Sequence, residues 1–210
     1  MRQQYQVPWA KQADMQAIQA APIAAVTYWH PDGTPGYCPA TWGRLLETPR
    51  AFHVHMACRE AHPQALQIFP NSPVCTDSCM EFFLNPVPQE ARFLNFELNA
   101  RGVMLMGLND NGEFHCLDPA LQSGCHPSAR VDREREIWEV YFCIPKMLLR
   151  SFFPLYNPDT IKMMRGNFYK CGDATRRPHY GSWSQVLRNP VDFHCPECFG
   201  ELLLERMGLR

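Results

Sequence analysis

Residues 93–99 read Phe93-Leu94-Asn95-Phe96-Glu97-Leu98-Asn99, and the alternation is strict. Leu94, Phe96 and Leu98 point one way; Asn95, Glu97 and Asn99 point the other. A period of two over this length is a strand with one apolar face turned to a core. The other face is unusual, because asparagine is a poor strand former. A row of Asn-Glu-Asn gives up strand stability to carry amide and carboxylate groups. The run just before it, Asp77-Ser78-Cys79-Met80-Glu81-Phe82-Phe83-Leu84, supplies a neighbouring strand. With Glu81 beside the Asn-Glu-Asn row, one sheet face presents several donors and acceptors together. Such a face suits a ligand covered in hydroxyls, and it equally suits a cross-strand network that serves only the fold.

The rest of the chain reads as more strands. Ile23 to Trp29, Thr41 to Leu46, Phe52 to Arg59, Val103 to Leu108, Glu136 to Ile144, Ile161 to Gly172 and Gly200 to Glu205 are strand-like runs separated by turn chemistry. Asn109-Asp110-Asn111-Gly112 is a hairpin turn signal. Short helices are expected within Lys11–Ile18 and from Lys146 to Phe153, and a helical turn over Gln64–Ile68. Residues 113–135 read as a short strand plus loop, and 189–199 as irregular. On Phe52 to Arg59, His53 and His55 face outward together, two metal-type ligands without a third in reach. The 19 prolines and 12% aromatic content favour strands joined by irregular loops over a helix bundle. The fold class expected is all-β, an antiparallel sandwich with one or two short helices. The 210 residues are read as one domain, with residues 1–20 as an N-terminal extension.

A formal net charge of −1 carries no nucleic-acid footprint, and no basic run points to a membrane surface. No apolar run is long enough to span a bilayer. The first residues lack the apolar core and cleavage site of a signal peptide, so a cytoplasmic location is expected. In that compartment the ten cysteines are read mainly as buried free thiols.

Several motifs stand in one order: Asp77-Ser78-Cys79-Met80-Glu81-Phe82-Phe83, Asn95-Phe96-Glu97-Leu98-Asn99, Arg165-Gly166-Asn167-Phe168-Tyr169-Lys170-Cys171-Gly172-Asp173, Pro178-His179, Ser182-Trp183, Asp192-Phe193-His194 and Phe199-Gly200-Glu201-Leu202. Over about Ile23 to Glu205 this set resembles the carbohydrate-binding module family 9-like proteins, in their free-standing bacterial branch. The resemblance implies a β-sandwich of the DOMON type and non-catalytic saccharide or polyol binding, with no catalytic residues. It implies Glu81 and Asn99 as readers of sugar hydroxyls, with Glu97 where the modules often carry a base. It implies Trp183 as one of two aromatic clamps. The second clamp position, six residues before Glu81, is Cys75, and a thiol has no flat π face to offer a pyranose. Trp138, Tyr169 or Trp42 are the aromatics left to substitute for it. Asn95, Arg165, Lys170 and Tyr169 are additional candidates, and Arg165, Lys170 and Asp173 are read equally as ligand contacts or as a structural charge network.

No cofactor is expected. Calcium and zinc are the ions the side chains allow, with His194, Cys195 and Cys198 the zinc candidates, since Cys-x-x-Cys beside a histidine suits that metal. The rival functional classes are a hydrolase in carbohydrate catabolism, using Glu81 and Glu97 as its carboxylate pair, and a scaffold whose sugar site has decayed. Nothing in the sequence specifies an oligomeric state.

Overall fold

The structure is a computed structural model and describes residues 2–205. Fourteen strands run in chain order: β1 (Gln4–Val7), β2 (Ala24–Val26), β3 (Tyr28–Trp29), β4 (Thr41–Glu47), β5 (Ala51–Arg59), β6 (Cys79–Asn85), β7 (Phe93–Asn99), β8 (Met104–Asp110), β9 (Glu113–Cys116), β10 (Ser128–Asp132), β11 (Ile137–Pro145), β12 (Met163–Cys171), β13 (Tyr180–Ser182) and β14 (Gly200–Leu204). Helix α1 spans Met15–Ala20 and α2 Lys146–Phe152. None is long and apolar enough to cross a membrane.

The strands form two sheets. The larger runs β1-β14-β12-β6-β7-β8-β9, with β13 and β3 branching from β12; the smaller runs β10-β11-β5-β4-β2. The pairings between named strands are antiparallel except β1 with β14. The alternation read from the sequence decides which side chains fill the space between them. Met80, Phe82, Leu84, Leu94, Phe96, Leu98, Met164 and Phe168 of the larger sheet meet Leu45, Phe52, Val54, Met56, Trp138, Val140 and Phe142 of the smaller. Phe96 stacks on Phe142 across the gap at 5.3 Å between centroids. On the opposite face of β5, His53 Nδ1 lies 2.7 Å from the Tyr141 hydroxyl, while His55, on that same face, is buried, with Nε2 3.7 Å from Glu139 Oε1.

Three expectations change. The N-terminal segment is more than an extension, because β1 adds an edge to the larger sheet and buries Tyr5 and Val7. The Tyr5 hydroxyl donates to Pro22 O at 2.7 Å and accepts from Leu45 N at 3.0 Å. Gln64–Ile68 forms no helical turn. Its backbone is instead tied to Asp77, whose carboxylate accepts from Leu66 N and Gln67 N at 2.9 Å each. The polar face of β6 and β7 is also not open to solvent along its length, since every residue of both strands is buried. The segment from Val186 to Phe199 lies over it, packing Val186, Cys195 and Phe199 against Phe83, Phe93 and Tyr169.

Candidate functional site

Where this covering segment stops, a cleft of about 300 Å³ opens onto the outer face of the larger sheet. Its floor is Glu81, Glu97 and Cys171, and Cys75 and Asp173 stand beside them. Glu81 and Glu97 face each other across β6 and β7, and Tyr169 faces Glu81 from β12. One wall is aromatic: Phe193 stacks on Tyr169 at 4.2 Å with 12° between planes, and Tyr180 meets Phe193 edge-on. The Tyr169 hydroxyl donates to Phe193 O at 3.2 Å, which fixes that wall. Phe114 and Leu105 line the cleft from β9 and β8, and His194 and Asp192 complete the lining.

The two carboxyl groups differ from surface acids. Burial pushes Glu81 well above the usual carboxylate range; Glu97 pushes it further, and the Cys171 thiol, donating at 2.8 Å to Oε1, only partly offsets this. Burial pushes Glu97 up to about 7, against the Asn95 amide that donates to it at 3.2 Å. Asn95 is itself held by Asn109 Nδ2 at 2.6 Å and lies 3.0 Å from His194 Nε2. The floor therefore presents carboxyl groups that can donate as well as accept, on a braced polar row.

The structure brings Glu81, Glu97 and His194 to this cleft, and holds Tyr169 beneath Phe193 and Asn95 behind the floor. It places the other sequence candidates elsewhere. Asn99 is buried and fully used by the protein: its amide donates to Gln67 O and Asp77 Oδ2, and its Oδ1 accepts from Arg101 N and Val103 N. It pins the 64–67 loop to the sheet. Trp183 sits in the core between the sheets, edge-on to Tyr5 and Phe168 at 6.2 and 6.0 Å, so its indole is no cleft wall. Arg165 pairs in register with Asn85 and Glu201, outside the lining. Of the zinc candidates, Cys195 and Cys198 are joined in a disulfide, which leaves no thiolate for a metal. The proposed substitute aromatics Trp138 and Trp42 also lie off the cleft, and Tyr169 contributes as the support for Phe193. Phe193, Tyr180 and Phe114 were not among the site residues read from the sequence, whereas Asp173, read there as a ligand contact or part of a charge network, does line the cleft. The only signal was Phe193-His194 within a stretch that has no periodicity.

Lys170 projects to the opposite face from the cleft. Its ammonium lies 3.2 Å from Glu60 Oε2, donates to Cys171 O at 2.9 Å and to His179 Nε2 at 2.7 Å, and stands 5.5 Å from the centre of the Trp138 ring. Because an ammonium only donates, Nε2 must accept, and Nδ1 must donate to Arg177 O at 2.7 Å. Burial, then Lys170, holds the His179 imidazole down to about 4 from 6.5, against the pull of Glu60. Arg177 adds a like charge, and Tyr37 meets the ring edge-on. In acid the unfolded chain takes this proton below its unfolded value, while the folded protein refuses it until about pH 4. The contribution is thus lost as pH falls, by about 2 kcal/mol near pH 5. Urea unfolding near pH 7 and pH 5 should show the unaltered protein losing about that much more than His179→Gln; equal losses would refute the assignment.

Comparison with known proteins agrees with this architecture. The family model for "Carbohydrate-binding family 9" matches residues 9–204. No curated protein matches the chain. Among solved structures, a candidate carbohydrate-binding protein from Bacteroides uniformis superposes with a TM-score of 0.82 at 26% identity, over 98% of this chain and 100% of that one. A carbohydrate-binding module of family 9 from Caldicellulosiruptor kristjanssonii in complex with cellotriose gives 0.69 at 12% identity, over 99% and 96%. The module of that family and organism in complex with glucose gives 0.66 at 12% identity, over 99% and 98%. The last two share the fold. A match that spans nearly the whole β-sandwich, including both strands that carry the paired carboxyl groups, means that the chain belongs to carbohydrate-binding family 9.

Proposed function

We propose that the protein binds a saccharide without cleaving it, in the cleft over β6 and β7. Glu81 and Glu97 read the hydroxyl edge of a sugar ring, with His194 and Asp173 at the rim. Phe193 takes its C–H face. The observation that carries this reading is the coincidence of two buried, opposed carboxyl groups with a half-buried aromatic ring in one cleft of about 300 Å³. Sugars have polar edges and apolar faces, and a site with one wall of each kind matches both. The complexes of family 9 modules with glucose and cellotriose support the choice of ligand class. The eight cysteines outside the disulfide among the described residues favour a reducing compartment such as the cytoplasm, where the Cys195–Cys198 bond would be the exception.

Calorimetry with glucose, cellobiose and a panel of other saccharides tests the reading. Glu81→Ala is expected to weaken binding by roughly 10–100-fold, the worth of a hydrogen bond to an acidic group. Phe193→Ala should cost about 10-fold. Trp183→Leu is expected to lower stability and leave affinity unchanged in the folded protein. Unchanged affinity in Glu81→Ala, or product release from aryl glycosides by the unaltered protein, would overturn the proposal.

A further inference from the structure

At the floor of the cleft, Glu81 also belongs to a second arrangement, with two cysteines that saccharide recognition does not use. Cys79 and Cys171 stand directly opposite each other on β6 and β12. Glu81 follows Cys79 by two residues, so all three side chains leave the same face of the sheet. One ligand atom from each, two Sγ and a carboxylate oxygen, lies within 4.8 Å of the other two. The Cys171 Sγ to Glu81 Oε1 distance of 2.8 Å is one at which oxygen donors normally sit. All three residues are buried, yet Glu81 and Cys171 reach the cleft, which gives a small ion a way in.

The cluster has acids around it and lacks a cation. Glu97 is opposite Glu81, and Asp173 and Cys75 line the cleft beside it. The nearest lysine in the strand, Lys170, points to the other face and is taken by Glu60. A divalent ion would supply the positive charge that a buried cluster of two thiols and a carboxyl group lacks.

We propose that Cys79, Glu81 and Cys171 bind a thiophilic divalent cation of the zinc class. Zinc takes thiolate at about 2.3 Å and carboxylate at about 2.0–2.2 Å in a tetrahedron, which spaces its ligand atoms within the spread seen here. Two sulfurs select it over calcium or magnesium, which prefer oxygen. Cys75 lines the same cleft as Glu81 and Cys171. Binding expels the protons of both thiols, and that of Glu81 where it is still held, so net uptake of one Zn²⁺ is accompanied by release of two to three protons. The ion would hold one Glu81 oxygen and leave the carboxylate's other oxygen for a ligand. The proposal does not rest on saccharide binding: it is tested without sugar, and sugar affinity is measured on chelator-treated protein.

The experiment titrates reduced, chelator-stripped full-length protein with Zn²⁺ against a chromophoric competitor, and separately with Co²⁺. The expected result is one equivalent of zinc, unaffected by excess calcium, and a cobalt adduct with thiolate-to-metal charge-transfer absorption. Cys171→Ser and Glu81→Gln should weaken zinc by more than about 100-fold, since loss of an outer-shell partner alone costs roughly 10–100-fold. The double variant Cys195→Ser/Cys198→Ser should bind as before. Absence of a thiolate band in that double variant would overturn the proposal, and this readout holds even if Cys171→Ser fails to fold. Zinc binding that survives when Cys171→Ser is added to that double variant, and the protein folds, would also overturn it.

Discussion

Lys170→Met is expected to lower the unfolding free energy by about 3–5 kcal/mol, the usual cost of removing one partner from a buried ion pair. Glu60 is the reason. Burial pushes its carboxyl group up, but Lys170 first, then Ser78, His179 and Trp138, more than offset this and keep it ionised. Its Oε1 accepts from Ser78 at 2.8 Å and its Oε2 from Trp138 Nε1 at 3.1 Å. Methionine fills the space of the lysine stem but leaves that carboxylate facing the Trp138 ring without its cation. His179 loses its donor at the same time. Urea unfolding near neutral pH measures the loss. The double variant Lys170→Met/Glu60→Gln should recover a substantial part of it, because the uncompensated charge then disappears. A loss below about 1 kcal/mol, the range of a surface pair, would show that Glu60 finds water instead. Since Lys170 faces away from the cleft, saccharide affinity of the folded variant should not change.

Phe168→Ala is the second large effect, at about 3–5 kcal/mol. The Phe168 ring lies 4.7 Å from Phe82, and Tyr5 and Trp183 close around it at 6.1 and 6.0 Å. It reaches across to the smaller sheet, where β4 makes room by having no side chain at all. A Cβ placed on Gly43 would stand 2.2 Å from Phe168 Cδ1. Removing the ring leaves a cavity that four aromatic and backbone neighbours cannot collapse into. The complementary change, Gly43→Ala, overpacks the same spot and should cost about 1–3 kcal/mol by itself. Combined in one protein, the two losses should fall clearly short of additive, since the alanine methyl enters the space the ring vacated. Thermal or urea unfolding of the three variants decides this. Strict additivity would mean that the two positions do not share one space.

The effects on the cleft are smaller because they act on binding alone. Glu81, Glu97 and Phe193 each line an open cleft, so under the proposed function their replacement removes contacts to a saccharide and leaves the sheet pairing in place. Asn99 is the informative contrast. It belongs to the same row as Glu97, two residues further on, yet its four hydrogen bonds are all to protein. Where the strand row passes under the 64–67 loop it is architecture; at Glu97 it lines an open cleft.

Local sequence determined much of this protein. The two-residue alternation of Phe93 to Asn99 settled which face of β7 meets the core, because consecutive side chains on a strand have no other choice. The strand runs 41–46, 52–59, 103–108 and 200–205 lie within a residue or two of β4, β5, β8 and β14 for the same reason. Glu81 and Glu97 were legible as a facing pair once their strands were adjacent. The tertiary structure alone decided what happened to the polar face. Whether Asn99 or Glu97 meets solvent depends on loops over 100 residues apart in the chain, and no periodicity encodes that. Lys170 and Cys171 are neighbours in sequence and sit on opposite faces, one in a charge network and the other in the cleft. Phe193 became a wall, and Trp183 a core residue, because of where an irregular segment crosses the sheet. Such a path is set by the summed packing of Val186, Cys195 and Phe199 on Phe83 and Phe93, contacts too long in range for any window of sequence to contain.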